Sequence, residues 1–135
     1  MDTFALTEGE FGVTFCRPAR SNDGLLESFV VRIVEPGLTA EAPVGNSPYI
    51  QGPEILFREM AESWRGWSGE KSWNALEGEL ALTATADSQG HITVRVQVRS
   101  GSCFDGWSLT SFAFLEAGQL EFFQKRASRF FGREP

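Results

Sequence analysis

The chain has 135 residues, with 18 acidic and 12 basic side chains and a net charge of −6. Its 41% hydrophobic and 13% aromatic content is that of one folded domain, long enough to bury a core without disulfides or metal. The acidic balance argues against a nucleic-acid binder, and no apolar run approaches the roughly 18 residues of a membrane helix.

Phe11, Val13 and Phe15 alternate with Gly12, Thr14 and Cys16. This spacing predicts a strand with one buried face, stopped by Pro18. Arg20 to Gly24 reads as a turn. Residues 28–34 predict a second, central strand, because Val30 and Val34 are apolar as well as Phe29, Val31 and Ile33. Pro36-Gly37 breaks it, and residues 38–44 predict another short strand.

Pro53 suits a first helical position. Leu56, Met60 and Trp64 then recur at i, i+4 and i+8, which predicts a helix over about 53–66. Residues 72–77 start a further strand. Residues 80–86 and 92–98 alternate around Asp87-Ser-Gln-Gly90 and predict an antiparallel hairpin with one dry and one wet face. Residues 107–115 predict a strand covered on both faces. Leu120, Phe123, Ala127 and Phe130 form the stripe of a last helix, about 117–131. Together these elements predict an α+β fold: a mainly antiparallel sheet of about six strands with two helices packed on one face, in a single domain over 1–135.

Cys16 and Cys103 form no CxxC motif, and Met1-Asp2-Thr3-Phe4 has no secretory pattern. The expected compartment is the cytoplasm with both thiols reduced, and the sequence does not decide whether the two cysteines pair. One histidine, His91, is too few for an ordinary zinc shell. There is no GxSxG, P-loop, GxGxxG or HExxH. No catalytic residue, metal or cofactor is therefore expected. A His91, Cys103 and Asp105 triad would need contacts that the spacing does not require.

The candidate contact residues are aromatic and basic. Three of the four tryptophans, Trp64, Trp67 and Trp73, fall within ten residues. They serve either as a core cluster or as anchors for a ligand or partner. Trp64 lies on the helix stripe and reads as core, which makes Trp67 and Trp73 the better contact candidates. Trp107 joins them. Arg95 and Arg99 share the wet face of the hairpin, where they hold a carboxylate or phosphate or else face solvent.

Phe57, the Trp-Arg-Gly-Trp-x-Gly run at 64–69, Trp73, Leu80-x-Leu82, Asp87-x-x-Gly90-His91 and Glu116-Ala-Gly-Gln-Leu120 resemble a family of small bacterial proteins known only as a domain of unknown function. The likeness covers about residues 27–131. It implies a small cytosolic bacterial protein and carries no catalytic residues to transfer. Size and acidity are also those of immunity proteins of bacterial toxin systems, an analogy rather than a derivation.

Two functions are expected from these readings. The first is a non-enzymatic interaction module, immunity-like, whose acidic front half (net −6 over residues 1–62) suits a basic protein partner. The alternative is a small-molecule binder, less readily an enzyme, with an apolar pocket between the sheet and the C-terminal helix, lined by Phe122, Phe123, Trp107 and Trp73. Outer strands leave a homodimer open.

Overall fold

The computed structural model describes residues 2–101 and 106–132. Four strands form a first antiparallel meander in chain order: β1 (Thr3–Ala5), β2 (Gly12–Arg20), β3 (Leu26–Glu35) and β4 (Leu38–Gly45). Helix α1 (Glu54–Glu62) follows. A second meander is built from β5 (Lys71–Asn74), β6 (Leu80–Ala86), β7 (His91–Arg99) and β8 (Ser108–Glu116), again in chain order. A 3-10 turn, Ala117–Gln119, leads into α2 (Leu120–Phe131).

The fold is therefore α+β and antiparallel, but it has two four-stranded sheets in place of one sheet of six. Alternation tells which face of a strand is buried; it does not tell which strands are neighbours. The α1 segment interrupts the hydrogen-bonded ladder between β4 and β5. β1 escaped the reading because three residues are too few for a period-two signal.

Pro18 does not stop β2, which runs through it to Arg20. The register slips between Cys16 and Ala19, and Arg17 takes a positive φ of 49°. Pro18 thus sits at a bulge, where no ladder N–H is required. Helix α1 ends four residues earlier than expected. Ser63 leaves helical geometry (φ −106°, ψ 35°), with its N–H held by Glu59 O and Met60 O. The hairpin of β6 and β7 has the expected register, with Leu82 opposite Val96 and Ala84 opposite Val94.

Buried side chains from both sheets and both helices form one contiguous core. Phe131 of α2 is its aromatic hub, with ring centroids 5.8 Å from Phe4, 5.3 Å from Phe15 and 5.2 Å from Phe29. Phe57 of α1 meets Phe4 edge-on at 5.3 Å. The helices thus rest on the inner face of the first sheet, while α1 also lies against β5. Arg20 fastens the end of α2 to β2 by donating to Phe130 O (2.6 Å) and Gly132 O (2.7 Å). A cation on the last carbonyls also complements the helix dipole. The sheets are tied where Ser111 Oγ donates to Glu35 Oε1 (3.1 Å) and Gly45 N–H donates to Glu79 Oε2 (3.1 Å).

One charge sits at odds with this packing. Glu54, in the first turn of α1, has a buried Oε1 with no hydrogen-bond partner. Burial pushes its carboxyl above the usual carboxylate range, with a backbone hydrogen bond and Arg58 pulling the other way. A raised folded pKa means that the folded chain holds the proton more tightly than the unfolded one. Stability is then fullest below the unfolded pKa and falls as pH rises through the folded pKa. Glu54→Gln is expected to stabilise the protein by less than about 1 kcal/mol near neutral pH, since the group is partly solvated. The gain should vanish in acid. Thermal melts of both proteins across the acid-to-neutral range check it; a difference that does not change with pH would count against the titration.

Candidate interaction surface

The outer face of the second sheet has an unusual composition. Alternation along β8 sends Ser111, Ala113 and Leu115 into the core, so Phe112 and Phe114 must point outward. They are 49% and 72% exposed. Cross-strand pairing sets Phe112 opposite Arg95, which in turn lies opposite Thr83, and sets Phe114 opposite Thr93. β8 is an edge strand, so nothing in its own sheet lies beyond the two rings.

The apolar surface continues around this edge. Phe114, Phe122 and Phe123 line an open cleft of about 500 Å³ that β1 closes on the other side with Thr3 and Ala5. Phe122 is 53% exposed, and the Arg126 guanidinium lies over its ring at 4.5 Å. Each such ring left partly in water forgoes a share of the about 1.5–3 kcal/mol that full burial supplies. Three adjacent ones mark a surface built to be covered.

The predicted contact residues fall in different places. Trp73 is 6% exposed and donates its indole N–H to Gln51 O at 2.7 Å, so it belongs to the core. Trp67 is half-buried, donating to Ala84 O (3.2 Å), with Lys71 over its ring. Trp64, expected inside, is 55% exposed because α1 ends before reaching it. Trp107 is exposed just before β8, its backbone N–H donating to Ser100 Oγ at 2.9 Å.

The two arginines do not form one clamp. Arg99 is spent on the β5–β6 turn, donating to Gly78 O (3.1 Å) and Glu77 O (3.4 Å). Arg95 lies across the sheet toward Thr83 Oγ1 (3.5 Å), and its buried Nε has no partner. Four residues of strand separate them by roughly 13 Å, too far to share one carboxylate.

His91 is a hairpin tie. Its backbone N–H donates to Asp87 Oδ1 (2.9 Å), and its ring lies 3.1 Å from Asp87 Oδ2 and 3.7 Å from Glu116 Oε2. The N–H groups of His91 and Gln89 hold the Asp87 carboxyl below its ordinary range. Cys103 and Asp105 lie outside the described residues, as does any pairing of Cys103 with Cys16. Among the described residues, no three of His, Cys, Asp and Glu are grouped to hold a metal ion. No described helix is long and apolar enough to cross a membrane.

Residues 5–134 match the profile of a family of unknown function, DUF6228. The chain belongs to that family. The match extends beyond the 27–131 span of the sequence resemblance. No curated protein and no solved structure matches the chain. DUF6228 membership therefore brings no assigned activity. In this DUF6228 chain Phe112 and Phe114 share parity with Thr110 and Glu116, opposite to Leu109, Ala113 and Leu115, and the β8 strand expected to be covered on both faces is open on theirs.

Proposed function

We propose that this protein is a non-enzymatic interaction module, immunity-like in binding and blocking another protein, and that the aromatic edge of β8 is its contact surface. The observation that carries this reading is the exposure of Phe112 and Phe114 on the outer face of β8, with Phe122 exposed on the cleft that Phe114 also lines. Aromatic anchors at the centre of an interface supply most of its binding energy. The net charge of −6 favours a basic protein partner through electrostatic steering. The module is read as a bacterial cytoplasmic protein, in keeping with the sequence resemblance.

Native mass spectrometry of the chain purified from its source cells tests the proposal. The expected spectrum contains a stoichiometric complex with a second, basic chain. That complex should be lost when Phe112→Ser and Phe114→Ser are combined, at a stability cost within about 0.5 kcal/mol because both rings face water. A complex that survives the double substitution would move the contact elsewhere.

A second reading, a small-molecule binder, draws support from the cleft between β1, β8 and α2. Phe122 and Phe123 line it as expected, whereas Trp73 and Trp107 do not. In the same experiment a bound species of defined low mass would favour this reading.

A further inference from the structure

The outer face of the second sheet departs from the charge of the chain. Trp73, Leu82, Ala84, Val94 and Val96 turn into the core, so the alternate residues of β5 to β8 face outward. One cross-strand row on that face runs Ser72, Thr83, Arg95, Phe112. The row beside it holds Ala81, Gln97 and Thr110, which line a shallow hollow of about 320 Å³. The chain has 18 acids against 12 bases. Yet among the described residues, Glu116 is the sole carboxylate at an outward strand position of this sheet. It lies at the far end of β8, 3.7 Å from the His91 ring. Arg95 and Arg99 belong to the same face.

Arg95 is the group without a counterpart. Arg99 gives its N–H groups to Gly78 O and Glu77 O. Arg95 is half-buried, and its one hydrogen bond among the described residues is the long 3.5 Å contact to Thr83 Oγ1. Its Nε is buried with no acceptor, and no described carboxylate forms an ion pair with it. A guanidinium keeps its proton at ordinary pH, so it cannot escape desolvation by becoming neutral. The free chain therefore bears an unmet charge that an incoming acceptor would relieve. A carboxylate matches the planar fork with two oxygens and one negative charge. A phosphate dianion calls for a second free cation, and Arg99 lies roughly 13 Å along the strand. Phe112, opposite Arg95, supplies an apolar flank, and the hollow beside the row leaves room for an approaching side chain.

We infer that Arg95 receives a carboxylate side chain of the partner protein, docked on the outer face beside Phe112. The inference rests on reading the aromatic edge of β8 as the contact surface, and it names the chemistry that meets it. A partner that is basic as a whole still carries single carboxylates, so long-range steering and this local pair are compatible. The first test is on the free chain. Arg95→Met keeps the stem and removes the charge, and the melting temperature is expected to hold or rise. A fall of more than about 4 °C would make Arg95 a structural residue and overturn the inference. The second test titrates the full ¹⁵N-labelled chain with an acetylated, amidated Gly-Phe-Glu-Phe-Gly peptide, with glutamine in place of glutamate as the uncharged control. Saturable shifts are expected at the Arg95 Nε–H and the Phe112 amide, with the glutamine peptide at least about tenfold weaker. The Arg95→Met protein should bind both peptides alike. Equal affinity of the parent for the two peptides, a glutamate preference that persists in Arg95→Met, or no shift up to about 10 mM would each overturn the inference. The native complex separates the two proposals. If it is lost in Phe112→Ser/Phe114→Ser but keeps its affinity in Arg95→Met, the carboxylate inference falls and the edge reading stands. If the glutamate preference holds while the complex ignores Phe112 and Phe114, the edge reading fails and the Arg95 site stands.

Discussion

Phe131→Ala is expected to cost roughly 3–5 kcal/mol of folding stability. The ring is buried and packs on four others: Phe4, Phe15 and Phe29 in the first sheet and Phe130 beside it at 4.9 Å. Its neighbours belong to three strands and a helix, so no one element can shift to close the space. Edge-to-face pairs add to the loss beyond buried area. Against a total stability of about 5–15 kcal/mol, such a loss leaves a marginal protein. Urea unfolding followed by circular dichroism measures it. The midpoint should fall by more than about 1 M at the slopes usual for small domains. A change near zero would mean that the C-terminal helix contributes little to the core.

Trp73→Ala is expected to cost a similar 3–5 kcal/mol, and Trp73→Phe about 1–3 kcal/mol. The indole is buried under α1, and its N–H satisfies Gln51 O in the loop before that helix. Alanine leaves a cavity and an orphaned carbonyl; phenylalanine leaves chiefly the orphan. The same unfolding experiment separates them. A Trp73→Ala protein that kept its midpoint but lost a bound ligand would restore Trp73 as a contact residue. The opposite pattern is expected for Phe112 and Phe114, whose removal should leave stability and remove binding. Interior and exposed aromatics are thus told apart by where the free energy is lost.

Much of the candidate surface was within reach of residue parity. Arg95 and Arg99 belong to the outward face of β7 as their alternation requires, since Ile92, Val94, Val96 and Val98 take the core. Applied to β8, the same rule sends Phe112 and Phe114 outward. Their aromatic character hid this, because two apolar faces in a strand ordinarily mean burial on both sides. Trp64 shows the converse error. Its i+8 spacing from Leu56 continues the stripe, but backbone geometry leaves the helix at Ser63, and a side chain beyond a helix end no longer follows its periodicity.

Local pattern by itself determined the antiparallel strands, the β6–β7 hairpin, both helices and the side chains that face inward on them. Each follows from a period of two or 3.6 residues and from turn chemistry near in sequence. The division into two sheets, the bulge that carries β2 through Pro18 and the exposure of the β8 aromatics were decided by tertiary structure. So was the placing of Trp64 and Gly118, 54 positions apart in the chain, along one cleft. Periodicity records what each residue faces along its own element. Which elements become neighbours is decided when one core is shared among all of them, and that is a property of the assembled chain.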